Sequence, residues 1–176
     1  RRGHDPRRPR GVDVSILGRV IEVRTGARLH FGLLSTGCPA GRFGGIGMMI
    51  DRPGYSIRVR LHATSDVVVG PTAAAGRAVK FLETLRRDGA SLRGAGTIHI
   101  EVLAAMPEHR GFGSGTQLAL ALLTAATDAS ADLHPADIPL VRGRRSRGGT
   151  VGFFEGGFIV DAGPFAVRLG LRPAWK

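Results

Sequence analysis

A chain of 176 residues, 43% of them hydrophobic, is long enough to bury a sizeable core, and no apolar run approaches the ~20 residues of a membrane-spanning helix. The formal charge of +11 points first to nucleic acid. However, only Lys80 and Lys176 are lysines, and the arginines gather in local runs without interleaved aromatics, so a nucleic-acid stacking platform is not expected. The opening RRGHDPRRPR lacks the apolar stretch of a signal peptide, and the single Cys38 rules out an intramolecular disulfide framework; both fit the cytoplasm.

Residues 1–17 read as a basic, flexible tail punctuated by Gly3, Pro6, Pro9 and Gly11. From Arg19, RVIEVRTGARLHFGLLS alternates as two short strands around a turn at Gly26. GGIGMMID and YSIRVRLHA continue the β character, the second with Ile57, Val59 and Leu61 on one face and Arg58, Arg60 and His62 on the other. SDVVVG is one more short strand. Thr72 to Arg87 then has helical spacing at Val79, Leu82 and Leu85, a capping Thr72 and a terminating Gly89. GTIHIEVLAAMP is a strand that leads into a glycine loop. The helix after it, Ser114 to about Thr127, is apolar on both sides, with Leu118, Leu122 and Ala125 opposite Leu120 and Leu123, and is expected to be buried all round. HPADIPLV reads as a short helix, and GTVGFFEGGFIVDAGPFAVRL as hairpins with glycine turns. The order of elements predicts an α+β fold, a mostly antiparallel sheet with helices on one face.

The glycine loop is the first place to look for chemistry. A helix N-terminus offers unpaired N–H donors and the positive end of a dipole, so Gly111, Gly113 and Gly115, with the Ser114 hydroxyl, suit phosphate oxygens. It is neither a Walker A loop nor a dinucleotide fingerprint. The same glycines also suit a plain tight connection from strand to helix.

The whole stretch PEHRGFGSGTQLALA resembles the phosphate loop of the GHMP kinase superfamily. Together with ARLHFGLL, RFGGIGMMID and GRRSRGGTVGFFEGGFIVDAG, it is similar to the β-ribofuranosylaminobenzene 5'-phosphate synthase family, over roughly residues 19–163. The resemblance implies a GHMP-kinase-like N-terminal domain, akin to the second domain of ribosomal protein S5, over residues 18–176. The C-terminal GHMP domain is then missing from this sequence. It also implies a reaction in tetrahydromethanopterin biosynthesis. Phosphoribosyl pyrophosphate condenses with 4-aminobenzoate or 4-hydroxybenzoate, releasing CO2 and pyrophosphate, and Mg²⁺ is the expected cofactor. The partners are those two substrates and either a second copy of the chain or a separate chain carrying the C-terminal domain.

On this reading Arg28, His30 and Arg42 are the catalytic candidates. Arg28 stands where many GHMP kinases have lysine, and a guanidinium suits bidentate phosphate or carboxylate recognition. His30 alternates onto the same strand face, and glycines beside Arg42 allow close approach to a ligand. The plain alternatives are solvated arginines and a half-buried histidine. His109, Gly111, Gly113, Ser114, Gly115 and Thr116, with Arg144, Arg145 and Ser146 from RGRRSRGG, are the phosphate and substrate candidates. No residues have zinc-ligand spacing, and the metal ligands are unassigned. Asp51, Glu108, Glu155 and Asp161 are the nearby acids, none with an assigned role. The competing functions are an ATP-dependent GHMP-type kinase, against which the GTQ after Ser114 argues, and a phosphometabolite-binding domain without turnover.

Overall fold

The computed structural model describes residues 13–15, 20–35, 43–63, 66–88, 97–127, 147–161 and 166–169. Its strands are β1 (Asp13–Ser15), β2 (Val20–Arg24), β3 (Ala27–Ser35), β4 (Phe43–Ile50), β5 (Ser56–Ala63), β6 (Val67–Val69), β7 (Thr97–Ala104), β8 (Phe158–Asp161) and β9 (Ala166–Leu169). The helices are α1 (Thr72–Asp88), α2 (Ser114–Thr127) and α3 (Arg147–Glu155).

The antiparallel strands expected from the sequence are divided between two sheets. One has the order β1-β2-β5-β7-β6 and the other β3-β4-β8-β9. Among the described strands, only the β6–β7 pair is parallel. The strands on either side of Gly26 therefore do not pair with each other: β2 joins β5, and β3 joins β4. The chain crosses between sheets at Thr25 and Gly26. There the Thr25 amide donates to the Tyr55 carbonyl at 2.9 Å, and the Thr25 hydroxyl accepts from the Tyr55 amide at 3.1 Å. A Cβ on Gly26 would run into the Ile50 carbonyl oxygen, so the crossing admits only glycine. Asp13–Ser15, inside the expected tail, pair with β2 as β1. The rest of that tail, like HPADIPLV, lies outside the described residues.

The core lies between the five-stranded sheet and α1 and α2. Ile21, Val23, Ile57, Val59, Ile98, Ile100 and Val102 point inward from the strands, and Ala78, Leu82 and Leu85 face them from α1. The opposite face carries the alternating charges: Arg58 pairs with Glu101 at 3.3 Å and Glu22 at 3.6 Å, and Arg60 with Glu101 at 3.5 Å. Helix α2 is buried from Thr116 to Ala125, as its two apolar sides require. No helix among the described residues is long and apolar enough to cross a membrane.

GTVGFFE is helical, in place of the hairpin expected there. Its aromatic and β-branched residues favour a strand locally, but tertiary packing decides. Phe153 joins the core, and Gly152 sits so close to β4 and β8 that a Cβ would come within 2.6 Å of Met49 Sδ and Ile159 Cδ1. Gly156 then ends α3 with φ of 64°, and its amide N–H donates a hydrogen bond to the Gly152 carbonyl at 2.8 Å. Beyond it, β8 and β9 form the antiparallel pair that the sequence predicts.

Candidate functional site

Strand β3 carries Arg28 and His30 on one face, as their spacing requires. Opposite them on β4 stand Met49 and Gly47, and further along Gly45 faces Leu33 after a bulge between His30 and Gly32. The β4 glycines make the room. A Cβ on Gly45 would lie 3.1 Å from the His30 ring, and one on Gly47 would lie 2.7 Å from the Leu29 carbonyl and 3.4 Å from the Arg28 side chain. The result is a cavity of about 240 Å³ lined by Arg28, His30, Leu33, Gly148, Ile159 and Asp161 together with the β4 segment 44–47.

Arg28 is the hinge of the arrangement. Its guanidinium reaches the first turn of α3, where a Cβ on Gly148 would be 3.1 Å from Nη1. Burial lowers the guanidinium from its usual pKa, and the negative charge of Asp161 opposes that shift. The group stays cationic, because arginine ionises far above neutral pH. On the backbone side, the Arg28 amide donates to the Phe112 carbonyl in the glycine loop at 3.0 Å.

The loop itself is held in left-handed backbone: φ is 55° at His109, 80° at Gly111 and 71° at Gly113. The Gly113 carbonyl accepts from the amides of Thr116 and Gln117, both at 3.0 Å, so Gly113 caps α2 and Ser114 opens it. Behind the loop is a compact polar cluster. Arg77 of α1 donates from Nη1 to Ser114 Oγ at 3.3 Å, and the same nitrogen lies 2.8 Å from Glu108 Oε1. The Tyr55 phenol is buried alongside; burial raises its pKa and the charge of Glu108 adds to the rise, while the charge of Arg77 and a hydrogen bond with Ser114 oppose it. From the second turn of α2, the buried Gln117 donates through Nε2 to the Gly149 carbonyl at 3.2 Å and ties the loop helix to α3.

Of the residues singled out in the sequence, Arg28 and His30 share the cavity, and Arg28 also abuts the loop formed by Gly111, Gly113 and Ser114. Gly115 and Thr116 lie in the first turn of α2, where Thr116 is buried. His109 is exposed at the turn before the loop. Arg42, Arg144, Arg145 and Ser146 lie outside the described residues. Two participants were not singled out. Asp161 had no assigned role because a lone strand acid carries no pattern, and Arg77 reads as one more solvated helix arginine until α1 is packed against the loop. Among the described residues, no group of three or more His, Cys, Asp or Glu side chains is placed to hold a metal.

Comparison with known proteins gives a consistent answer. Residues 74–150, which span α1, β7, the loop and α2, match the family of GHMP kinases N terminal domains. Two β-ribofuranosylphenol 5'-phosphate synthases are similar: that of Methanothermobacter thermautotrophicus is 34% identical over 82% of this chain and 47% of its own length. That of Archaeoglobus fulgidus is 31% identical over 82% and 45%. The chain thus spans about half the length of the curated relatives it matches. Among solved structures, mevalonate kinase from Methanococcus jannaschii superposes with a TM-score of 0.57 at 13% identity, covering 92% of this chain and 57% of that one. Homoserine kinase from Cytophaga hutchinsonii gives 0.53 at 20% identity, covering 88% and 53%. These likenesses establish the fold. The chain belongs to the GHMP kinase superfamily as an N-terminal domain, with the β-ribofuranosylphenol 5'-phosphate synthases as its relatives.

Proposed function

We propose that this chain is the phosphate-holding part of a decarboxylating phosphoribosyl-transferring synthase. It joins the anomeric carbon of phosphoribosyl pyrophosphate to 4-hydroxybenzoate or 4-aminobenzoate and releases CO2 and pyrophosphate. The observation that carries this reading is the position of Arg28, which stands against the glycine loop and in the same cavity as His30 and Asp161. The names of the relatives, β-ribofuranosylphenol 5'-phosphate synthases, support it and favour the hydroxylated acid, whose product is a phenol. A place in tetrahydromethanopterin biosynthesis goes with that reading, as does a cytoplasmic setting.

In this reaction the bond between the anomeric carbon and pyrophosphate breaks, and its electron pair leaves with the pyrophosphate. The ring carbon bearing the carboxylate forms the new carbon–carbon bond, and CO2 departs, returning its bonding pair to the ring. Negative charge therefore grows on the leaving pyrophosphate. The α2 N-terminus, the loop amides around Gly113 and Ser114 and the Arg28 cation are disposed to stabilise it. Asp161 faces the opposite need, the positive charge that develops on the ribosyl ring. His30, across from Gly47, has room to orient the aromatic acid. Mg²⁺ fits this site modestly: such ions are held through one or two carboxylates plus substrate phosphates, and Asp161 is the carboxylate in the cavity. Bound there, the ion would neutralise charge on the departing pyrophosphate.

The relatives are about twice as long as the part matched here, so we assign the second wall of the site to the other half of such a protein. Without it water reaches the ribosyl centre, and the reacting pair is not held near attack geometry. The test is release of labelled CO2 from carboxyl-labelled 4-hydroxybenzoate with phosphoribosyl pyrophosphate and Mg²⁺. Little release by the 176-residue chain, restored by a C-terminal half from the same genome, is expected. Phosphate transfer from ATP without CO2 would replace this reading with a kinase.

A further inference from the structure

A serine hydroxyl has one hydrogen to give and two lone pairs to receive. At Ser114 one lone pair is already committed, because Arg77 Nη1 donates to Oγ at 3.3 Å. Arginine cannot accept, so the Ser114 hydrogen is left for an acceptor other than Arg77, and a phosphate oxygen must compete for it with the phenol oxygen of the neighbouring buried Tyr55. The same Nη1 stands 2.8 Å from Glu108, the residue just before the left-handed His109, so one guanidinium group reaches both the start of α2 and the start of the loop. Ser114 is only 9% exposed, and both members of the Arg77–Glu108 pair are largely covered, with side chains 24% and 25% exposed. A pair of that kind is less screened by solvent than a surface bridge.

We propose that Arg77 is a positioning residue for the glycine loop: by donating to Ser114 and pairing with Glu108, it fixes the Ser114 hydroxyl so that its hydrogen serves a bound phosphate oxygen. It touches no substrate and acts through Ser114. The inference rests on the proposed function, in which the loop is the phosphate site. It differs from a simple field effect, in which the Arg77 charge would attract an anion whatever stands at position 114. Glu108 offsets that charge, which leaves orientation as the larger contribution.

Pyrophosphate affinity, measured by calorimetry on the 176-residue chain, separates these cases in a double-mutant cycle. Arg77→Met should weaken binding about tenfold or more in the wild-type background, the loss of one charge-assisted hydrogen bond. In the Ser114→Ala background it should cost almost nothing further. Equal losses in the two backgrounds would show a field effect and overturn the proposal. If Arg77→Met does not fold, Arg77→Lys carries the same cycle: it keeps the charge without the guanidinium reach and should lose comparable affinity, whereas wild-type affinity overturns the inference. Gly113→Val tells the two layers apart. If it leaves pyrophosphate binding intact, the loop is not the site and both readings fall; if it abolishes binding while Arg77→Met binds normally, only the role of Arg77 is lost.

Discussion

The backbone amide of Arg28 donates to the carbonyl oxygen of Phe112 at 3.0 Å, so the strand that carries the cavity's arginine and the loop that opens α2 are joined by main chain rather than by side chains. The connection is independent of side-chain rotamers. A ligand held by both the loop and the guanidinium is therefore held in one frame.

Gly113→Val should disrupt that frame. Gly113 has φ of 71°, and its Cβ position lies only 3.7 Å from the Arg28 Cβ. A left-handed conformation costs an L-residue roughly 1–2 kcal/mol, and a β-branched one suffers most. Thermal denaturation should show a loss of about that size, and calorimetry should show pyrophosphate binding falling below detection. Unchanged binding would remove the loop from the site.

Replacing Arg28 tests geometry against charge. Arg28→Met should cost pyrophosphate binding roughly 1.5–3 kcal/mol, the range of a charge-assisted hydrogen bond. Arg28→Lys keeps the cation but not the planar fork, and it should bind no better than the methionine variant. Arg42 and Arg145 invite the same lysine series. Lysine variants that bind pyrophosphate as tightly as wild type would reduce these arginines to a diffuse positive field, and tight duplex-DNA binding with a steep salt slope would revive a nucleic-acid role.

Gly47→Ala addresses how the cavity is kept open. The new methyl would sit 2.7 Å from the Leu29 carbonyl, which is backbone and cannot swing away, and 3.4 Å from the Arg28 side chain. Overpacking of this kind costs about 1–3 kcal/mol. Urea denaturation should report that loss, with weaker pyrophosphate binding in the fraction that remains folded. A variant as stable as wild type would show that β4 can shift and that the cavity is not fixed by its glycines.

Acid stability should depend on Asp66. Burial alone would raise its carboxyl, but hydrogen bonds from Arg86 and from the Ile98 amide, together with the Arg86 charge, outweigh it and hold the group below its usual value. A carboxyl with a depressed folded pKa contributes stability that is present above its unfolded pKa and lost as pH falls through the folded one. Asp66→Asn should lower the melting temperature at neutral pH and flatten its decline from about pH 4 downward, the range of an ordinary aspartate. A parallel decline in both proteins would contradict this.

Some of these features are legible in the sequence for clear physical reasons. Leu118 to Leu123 leave α2 no polar face, so its burial follows directly, and the alternation of Ile57 and Val59 with Arg58 and Arg60 fixes which side of β5 meets the core. The division into two sheets is not legible, because alternation specifies a face and never a partner. Gly152 read as a turn signal, while its true constraint is the approach of Met49 and Ile159, which only the packing of α3 against β4 and β8 reveals. Arg28 and His30 stood out through their shared strand face and the resemblance of their motif. Arg77 and Asp161 had neither, and their importance comes from neighbours more than 30 residues away, Ser114 for one and Arg28 for the other.

The crossing at Thr25 and Gly26 separates two bodies of very different cohesion. Nearly all of the continuous core belongs to the five-stranded sheet with α1 and α2, while the four-stranded sheet that floors the cavity leaves Phe31 57% and Leu33 69% exposed. Regions that bury little apolar surface open at lower free energy than the global transition. Amides of β3, β4 and β8 therefore belong to a separate exchange unit, and a ligand seated in the cavity will slow deuterium uptake there first. The scaffold beneath can keep its melting behaviour almost unchanged, so occupancy of this site is better followed by local protection than by a shift in the unfolding curve.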